Sequence, residues 1–497
     1  MFKDKLTFTN EQSNSNLANS QNLDTSKLTS KAKSLKKKHS DLSVNNKDYW
    51  EMNFDDFIGV ELGSNGMLGN VHRIIFYTTK YIEGTEKIVN KNRREIIEHF
   101  FYYNDLDKLK WFKCAVMTSY WKWAQEKYGS GIDSSLLSDN KSEAQYDNTG
   151  LKCYEKRMLF LINPKGGKGT AAEMYNSIER YIASAGIIAT VIMTTHYLHA
   201  FELIRDMPRE EIIKYYAIVN VSGDGIIHEA VNAYYQRPDH KTFKLRVASL
   251  MGGSACGLAA SACREWKLGK FQENCLYVLT RARFQTLNVM KYITNGKVKE
   301  IYGLMLYNFG YISDCDLNSE KYRWMGDKRF QFYGYTRLLN LAKRPAIISW
   351  SEKKTDNEID QPLTKEKIDQ IFNAPLNNDC KIIDDKIYSS VVSTAPLITD
   401  NLFFTDDLQI NSKHAYIYIA PKKFGYMSFI KNLLALEDFT LKDQKKVILD
   451  KIKSYRLELC DNKKWNDKNS PINIDGERYD GTKIQGEIID STIQYIS

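Results

Sequence analysis

At 497 residues the chain is too long for a single compact core, and its length predicts two to four domains. With 43% hydrophobic and 12% aromatic residues it is expected to be globular, and a net charge of +9 suits an anionic surface without specifying which one. The eight cysteines form no CxxC pair, and no apolar run approaches the ~18 residues of a spanning helix, which argues against zinc sites, a disulfide framework and a membrane span.

The first 153 residues predict a tail, a small domain and a linker. Residues 1–45 are rich in Ser, Asn and Lys and predict a disordered basic tail, whose lysines either contact anionic lipid or only keep it soluble. Residues 46–128 are aromatic, with short strand-like runs followed by a helical period over residues 107–128. Residues 129–153 carry little apolar pattern and predict a linker.

Apolar strands alternate with amphipathic helices between residues 154 and 280. Strands are predicted at 158–162, 187–194, 216–221 and 245–250, and helices at 171–185, 199–206, 226–236 and near residue 258. This order predicts a doubly wound parallel sheet that binds ligands at the carboxyl ends of its strands. Over residues 281–497, hairpin patterns predict an antiparallel second lobe, with residues 351–380 as an inserted surface loop.

One predicted strand-to-helix turn places a carboxylate between two glycines, in the order Ser222-Gly223-Asp224-Gly225. The glycines allow unusual backbone dihedrals and the close approach of a ligand. Asp224 is therefore a candidate catalytic base. The alternative is that Asp224 caps the helix that follows it, and the residues of this stretch support both roles equally.

Two more loops of small residues follow other strands of the same predicted sheet. Residues 163–170 read Asn-Pro-Lys-Gly-Gly-Lys-Gly-Thr, and residues 252–257 read Gly-Gly-Ser-Ala-Cys-Gly, each ahead of a predicted helix. Backbone N–H groups at a helix N-terminus attract phosphate. Three such loops at successive strand ends predict a polyphosphate ligand, although their spacing matches neither a Walker A loop nor a Rossmann fingerprint.

In order, spacing and residues, these three loops closely resemble the nucleotide loops of sphingosine kinases, within the diacylglycerol kinase catalytic superfamily. The similarity continues in residues 309–323, 328–330, 474–477 and 485–487, and residues 55–61 resemble a strand of the pleckstrin-like region before some lipid kinase domains. The resemblance implies a two-lobed lipid kinase fold. An N-terminal doubly wound parallel α/β lobe (154–280) would be followed by a C-terminal antiparallel β-sandwich lobe (281–497), and a small pleckstrin-like domain (46–128) would precede both.

The resemblance also implies a reaction, the phosphorylation of a sphingoid base at its primary hydroxyl, with ATP and Mg²⁺. By position, Asp224 is the general base and Asp316 faces the sphingoid ammonium, a partner that neutral lipids do not need. Phe330, with Phe332, Leu338 and Leu339, either lines a lipid channel or packs in the core. The implied nucleotide positions are Asn163, Pro164, Lys165, Thr194, Ser222, Gly223, Gly225, Glu229, Gly253, Ser254, Ala255, Arg323, Arg329, Asp475, Gly476 and Glu477. Asp475 and Glu477 are also the implied Mg²⁺ ligands.

Two features leave alternatives open. Without the resemblance, the arginines at 323 and 329 would be read as surface ion pairs with Asp314, Glu320 and Asp327. The third loop has Ala255-Cys256 where the family usually has Gly-Asn, and alanine is strained at positive φ while cysteine cannot reproduce an asparagine's hydrogen bonds. The alternatives are therefore a ceramide or diacylglycerol kinase, or a pseudokinase that binds lipid or nucleotide without turnover.

The expected partners follow from the implied substrate. We expect a cytoplasmic protein that docks transiently on membranes to reach a sphingoid base, with no nucleic-acid partner. The N-terminus lacks the apolar core of a signal peptide, which favours the cytoplasm. The oligomeric state is not predicted by any pattern in the sequence.

Overall fold

The computed structural model describes residues 5–9, 49–63, 72–82, 92–103, 106–128, 156–166, 169–252, 256–269, 271–298, 300–325, 328–356, 363–397, 405, 407–437, 440–461 and 470–497. The predicted linker lies outside these residues, as does most of the predicted tail. Contacts divide the chain into two compact units, Met1–Phe57 and Ile58–Ser497. In the first unit, β1 (Lys5–Thr9) pairs antiparallel with β2 (Tyr49–Asn53), so the disorder expected of residues 1–45 does not hold for residues 5–9.

A three-stranded antiparallel sheet and one long helix account for the small domain predicted at 46–128. Its elements are β3 (Phe57–Gly63), β4 (His72–Ile82), β5 (Arg93–Tyr103) and α1 (Leu106–Tyr128). The strand-plus-helix prediction is confirmed, and the pleckstrin-like identity stays a prediction. In α1, Cys114 is disulfide-bonded, which the cysteine spacing did not indicate.

The nucleotide lobe predicted at 154–280 is built on parallel strands joined by helices. The strands are β6 (Lys156–Ile162), β7 (Ile187–Met193), β8 (Ala217–Ser222) and β9 (Arg246–Met251). The helices are α2 (Ala171–Ser184), α3 (His199–Asp206), α4 (Arg209–Ile212), α5 (Gly225–Gln236), α6 (Gly257–Glu265) and α7 (Gln272–Arg281). The parallel pairing of these four strands confirms the sheet predicted from the alternation.

The strand order of this sheet locates a crevice. With the short strands β10 (Phe284–Thr286) and β22 (Gln494–Ile496) at one edge, the order is β10-β22-β9-β8-β6-β7, so the chain runs from β6 to β7 on one side and then crosses to β8 on the other. Ligands of open α/β sheets bind at such a reversal, outside the carboxyl ends of the strands. The two short strands complete the sheet, and the C-terminal β22 pairs parallel with β9. The end of the chain therefore belongs to the first lobe, against the predicted boundary of 281.

The strand-plus-helix module packs directly on helices of this lobe. A Cβ on Gly59 would lie 2.3 Å from the backbone carbon of Ser184 in α2, so only glycine allows β3 to come this close. On the other side, the fully buried Asn274 of α7 accepts from the Arg94 N–H at 2.7 Å and donates to the Asn92 carbonyl at 3.0 Å. Buried polar groups paired in this way fix the contact geometry. The module is thus an integral part of the nucleotide lobe.

Within the described residues, the second lobe is built on one continuous sheet of eleven antiparallel strands. The strands are β11 (Met290–Thr294), β12 (Glu300–Gly303), β13 (Leu306–Gly310), β14 (Arg344–Ser351), β15 (Lys381–Ser393), β16 (Ala415–Pro421), β17 (Ile448–Ile452), β18 (Ser454–Leu459), β19 (Ile472–Ile474), β20 (Glu477–Tyr479) and β21 (Lys483–Ile488). The rings of Tyr307 and Tyr455 lie 5.0 Å apart although β14 and β15 separate their strands in the sheet. The sheet therefore curls around its own core. The antiparallel prediction is confirmed, as a curled single sheet in place of the two sheets of a sandwich.

Helices cover parts of this sheet, and one of them lies in the predicted surface loop. The helices are α8 (Tyr311–Ser319), α9 (Lys328–Leu339), α10 (Lys365–Asn373) and α11 (Tyr426–Glu437). In α10, Ile368 and Phe372 are buried against Ile293, and the buried Arg456 donates to carbonyls at the C-terminus of α10. The segment 351–380 is therefore not merely a surface loop. Among the described helices, none is long and apolar enough to span a membrane.

Candidate active site

Asp224 lies at the carboxyl end of β8, where the strand order reverses. Its side chain is half-buried and makes no capping hydrogen bond to α5, the helix that follows it. Instead, Oδ2 accepts from the backbone N–H of Gly257, the first residue of α6, at 2.7 Å. The alternative role of capping its own helix is therefore not observed. The carboxylate is held toward the third glycine-rich loop.

The glycine after Asp224 leaves space beside the carboxylate. Gly225 is the first residue of α5 and has no heavy atom within 4 Å of a built Cβ. Its backbone is helical, so the glycine is not required here for an unusual dihedral. A ligand approaching Asp224 meets no side chain at this position.

The first loop packs against the second at a glycine. Asn163 Oδ1 accepts from the Lys165 N–H at 3.0 Å and closes a tight turn after β6. A Cβ on Gly166 would lie 2.6 Å from Ser222 Oγ, so a side chain there would push the two loops apart. Pro164 lies in the same turn, and the loop residues 167–168 lie outside the described residues. The structure brings the first two predicted loops together.

The third loop is described only at its two ends. The predicted residues Gly253, Ser254 and Ala255 lie outside the described residues, so the strain expected at Ala255 stays a prediction. At one end, a Cβ on Gly252 would lie 2.6 Å from the Val221 carbonyl oxygen. At the other, the buried Cys256 thiol donates to the Ser222 carbonyl oxygen at 3.3 Å. The thiol thus supplies a hydrogen bond between the second and third loops.

Glu229 and Thr194 border the site on the β7 side. Glu229 Oε2 accepts from the backbone N–H groups of Ala200 at 3.1 Å and Phe201 at 3.3 Å, at the N-terminus of α3. Burial raises the pKa of Glu229, and these N–H groups act against that shift. The Thr194 N–H donates to the Ile162 carbonyl at 2.8 Å, at the end of β7. Glu229 therefore orders the segment that follows Thr194 through a helix cap.

The Asp475-Gly476-Glu477 segment reaches the first lobe from the second. The Asp475 side chain is only 2% exposed, and its oxygens accept from three backbone N–H groups, those of Leu304, Met305 and Leu306, at 2.8–3.0 Å. Its Oδ2 also lies 2.9 Å from Nδ1 of His228, a residue of α5. Glu477 is half-exposed, and its Oε2 accepts from the Tyr197 hydroxyl at 3.1 Å.

The predicted Mg²⁺ ligands differ in their fit to a metal ion. A carboxylate has about four lone-pair sites, and those of Asp475 face four donors, so its side chain does not fit a metal ligand. The half-exposed Glu477 fits, because Mg²⁺ is commonly held by one or two carboxylates together with substrate phosphates. Among the described residues, no three His, Cys, Asp or Glu side chains form a metal-binding group.

Asp316 and the predicted arginines lie on α8 and the segment after it. Asp316 Oδ2 accepts from Asn473 Nδ2 at 2.6 Å, and Asn473 Oδ1 accepts from the Gly476 N–H at 2.9 Å. Burial raises the pKa of Asp316, and the charges of Glu320 and Glu477 add to that shift. Asn473 therefore links the predicted ammonium site to the Asp475–Glu477 segment.

Of the two predicted phosphate-facing arginines, the structure describes one side chain. Arg329 forms an ion pair with Glu320, and its guanidinium lies 4.5 Å from the ring centre of Phe330. The ion-pair alternative is thus observed for Arg329. Asp314 pairs elsewhere, with Arg337 at 2.7 Å and Arg344 at 2.9 Å. The side chain of Arg323 lies outside the described residues.

Of the apolar residues expected to line a lipid channel or the core, Phe332 and Leu339 are exposed, whereas Phe330 and Leu338 are partly buried. On α9, Phe332 is 44%, Tyr335 70% and Leu339 91% exposed, and these residues recur at the three- and four-residue spacing of one helix face. Trp324, just before α9, is 82% exposed. An exposed apolar face of this kind is typical of an interaction surface.

Sequence reasoning missed the residues that join the two lobes. The sequence patterns gave no role to His228, Asn232, Tyr479 or Tyr197. Their partners are remote in the chain, so no local pattern could have identified them. His228 is buried between Asp475 and Tyr479; burial opposes its protonated form, but the hydrogen bond and charge of Asp475 raise its pKa.

Comparison with known proteins defines the class of the first lobe. Residues 157–292 match the family model of the diacylglycerol kinase catalytic domain. The match runs from β6 to β11 and includes Asp224 and all three loops. The resemblance to this superfamily indicated by the loops is confirmed.

Several relatives that the chain matches carry the names of sphingosine or sphingoid base kinases. It is 35% identical to sphingosine kinase 1 of Homo sapiens over 192 residues, which cover 37% of this chain and 49% of that protein. It is 34% identical to sphingosine kinase 1 of Arabidopsis thaliana over 190 residues, 38% of each. With sphingoid long chain base kinase 4 of Schizosaccharomyces pombe it shares 29% identity over 269 residues, 54% of this chain and 55% of that protein. The chain therefore spans about half or less of the length of these relatives.

A solved diacylglycerol kinase structure from Bacillus anthracis str. Sterne aligns with 69% of this chain and 96% of its own, at 16% identity and a TM-score of 0.49. At that score the likeness adds nothing to the fold described above, which rests on the strand pairings.

Proposed function

We propose that this protein is a lipid kinase that transfers the γ-phosphoryl group of ATP to the primary hydroxyl of a sphingoid base, with Asp224 as general base. The observation that carries the proposal is the position of Asp224. Its carboxylate is held by the Gly257 N–H at a strand-order reversal, beside open space at Gly225 and between glycine-rich loops. The catalytic-domain match and the names of the relatives support the same reaction.

In the proposed reaction, Asp224 takes the proton of the lipid hydroxyl as its oxygen attacks the γ-phosphorus. The new oxygen–phosphorus bond forms while the bond to the β-phosphate oxygen breaks, and ADP leaves. The N–H of Gly257 holds Oδ2 and so fixes the orientation of the carboxylate that is proposed to take the proton. Bound Mg²⁺ would neutralise phosphate charge, and Glu477 is the described carboxylate placed to help hold it.

Backbone groups of the three loops are proposed to hold the nucleotide phosphates. The turn at Asn163–Gly166 precedes α2, and Gly252 and Cys256 flank the loop before α6. N–H groups at helix N-termini bind anions, and the glycines let the phosphates approach closely. Thr194 and the α3 N-terminus ordered by Glu229 would complete this face.

Asp316 is proposed to select an amino lipid. A sphingoid ammonium gains a partner in its carboxylate, whereas ceramide and diacylglycerol carry no amine charge and gain nothing. The hydrogen bond from Asn473 fixes the carboxylate next to the Gly476 backbone, which places the head group near the nucleotide segment. Phe330, which packs on Arg329, lies in the same region.

The exposed apolar face of α9 is proposed to rest on the membrane that supplies the lipid. Phe332, Tyr335 and Leu339 point outward together, and burying them in a lipid interface would be favourable. This face belongs to the helix that contains Phe330 and Arg329, so lipid would enter close to Asp316. The protein would thus be cytoplasmic and peripherally bound to membranes.

The substrate class is tested by phosphoryl transfer from labelled ATP to sphingosine, ceramide and diacylglycerol in mixed micelles. We expect label on sphingosine, with a loss of at least about 10-fold in kcat/KM for Asp316→Asn because an amide carries no charge for the ammonium. Asp490→Asn, at an 87% exposed carboxylate, is the matched control and should behave as wild type. A better rate on ceramide or diacylglycerol, unaffected by Asp316→Asn, would favour a neutral-lipid kinase.

A further inference from the structure

One face of α5 joins the two lobes through three side chains. His228, Asn232 and Tyr235 are four and three residues apart, and therefore lie on one side of the helix. Asn232 donates to the Tyr302 carbonyl at 2.8 Å and accepts from the Tyr302 N–H at 2.9 Å. The rings of Tyr235 and Tyr302 stack with centroids 3.9 Å apart.

The side chain of His228 is buried between two hydrogen-bonding partners of the second lobe, Asp475 and Tyr479. His228 Nδ1 lies 2.9 Å from Asp475 Oδ2, and Nε2 lies 2.8 Å from the Tyr479 hydroxyl. A neutral imidazole satisfies both, because Nδ1–H donates to the carboxylate while Nε2 accepts from the tyrosine. The side chains of His228 and Asp475 are 5% and 2% exposed.

Asp475 in turn holds the backbone of the second lobe. Its carboxylate accepts hydrogen bonds from the N–H groups of residues 304–306. Residue 306 is the first of β13, and the other two come just before it. Its own backbone has φ of +51°, which is strained for a residue with a side chain. The hydrogen bonds around Asp475 therefore hold this strained conformation in place. We expect this of a carboxylate that stabilises the fold and does not bind a soluble ligand.

From these contacts we infer that His228 and Asp475 are positioning residues, which fix the helix that begins beside Asp224 to the second lobe, and that the Asp475 carboxylate does not bind the metal or the nucleotide. The inference rests on the proposed function and deepens it. Asp224 precedes α5 directly, so a shift of this helix moves the base relative to the Glu477 segment and the head-group site around Asp316.

Kinetics of the full-length chain separate positioning from metal binding. We compare Asp475→Asn, His228→Leu and their combination, varying ATP and Mg²⁺ with sphingosine as acceptor. Each single variant should lower kcat by about 10- to 100-fold, since misplacing a catalytic group by ~1 Å has an effect of this order. The KM for ATP and the Mg²⁺ concentration for half-maximal rate should stay within about 3-fold of wild type.

Two further variants sharpen the comparison. The double variant should lose no more than the worse single variant, because both residues act through one contact. His228→Asn keeps an N–H donor in the place of Nδ1, and should recover most of the kcat lost in His228→Leu. Glu477→Gln is the contrast, because it should raise the Mg²⁺ requirement.

The opposite pattern would overturn the inference. A 10-fold higher Mg²⁺ requirement in Asp475→Asn, with His228→Leu close to wild type in kcat, would make Asp475 a metal ligand. If wild type transfers phosphate to no lipid, the proposed function fails, and Mg²⁺-dependent ATP binding decides the inference alone. An unchanged Kd in Asp475→Asn then supports it, and a 10-fold weaker Kd contradicts it. Tyr479→Phe, which removes only a hydroxyl, replaces any variant that does not fold.

Discussion

The carboxylate of Asp224 and the backbone N–H of Gly257 are joined by a 2.7 Å hydrogen bond between two glycine-rich loops. Helix α5 begins directly after Asp224. It also contains Glu229, whose carboxylate caps the N-terminus of α3. Asp224, just before α5, thus orders the N-terminus of α6, and Glu229, within α5, orders the N-terminus of α3. Since helix N-termini are where phosphates bind, α5 organises both sides of the proposed nucleotide site.

Removing the Glu229 cap should loosen the nucleotide site. Glu229→Ala leaves the N–H groups of Ala200 and Phe201 without their carboxylate partner, and we expect a loss of about 1 kcal/mol in the free energy of unfolding. The KM for ATP should rise because the segment after Thr194 loses its anchor. Chemical denaturation and steady-state kinetics measure both effects, with Glu202→Ala as control, since Glu202 lies on the capped helix α3 but pairs with His196 and is 47% exposed. If the two variants had equal effects, the cap that Glu229 forms on α3 would not be what anchors the nucleotide site.

The ionised carboxylate of Asp316 should lower the stability of the fold while it favours binding of the substrate. Its pKa in the folded state is raised by burial above the ordinary value of 3.8, so its contribution to stability is full below that pH and is lost as pH rises through the raised pKa. The uncharged Asp316→Asn should therefore unfold at a higher temperature than wild type at neutral pH. The difference should shrink as the solution is acidified.

Activity should follow the opposite course with pH. Because the ammonium needs the ionised carboxylate, wild-type kcat/KM for sphingosine should fall as pH drops through the raised pKa of Asp316. Thermal melting and rate profiles over the same pH range test the pair of effects. A lower melting temperature for Asp316→Asn at neutral pH would show that burial does not strain this carboxylate.

The strand-plus-helix module should be needed for the stability of the nucleotide lobe. Asn274→Ala removes three hydrogen bonds to the backbone of Arg94, Asn92 and Gly269, the last of them buried, which should lower the free energy of unfolding by about 2 to 4 kcal/mol. Glu273→Ala is a suitable control because Glu273 lies next to Asn274 on the same helix and is exposed. A single cooperative transition that moves with Asn274→Ala is expected. Two independent transitions would mean that the module folds apart from the lobe.

The sequence predicted the parts of this molecule that local patterns encode. Alternating strands and helices identified β6 to β9, and glycine-rich turns located the loops around Asn163 and Asp224. What it could not predict depends on remote pairings. β22 returns to the first lobe after some 200 residues in the second, and the four donors around Asp475 come from residues 228 and 304–306. The family resemblance implied Asp475 as a ligand, whereas only the fold shows that its oxygens already accept hydrogen bonds.

The measurement that tests the central proposal most directly is transfer of labelled γ-phosphate to sphingosine by wild type and by Asp224→Asn, with nucleotide binding measured in parallel. The asparagine keeps an acceptor for the Gly257 N–H but cannot take a proton, so binding should persist while the rate falls by at least about 100-fold. Full activity in Asp224→Asn would contradict the assigned base. Nucleotide binding without transfer to any lipid by wild type would instead favour a protein that binds without turnover.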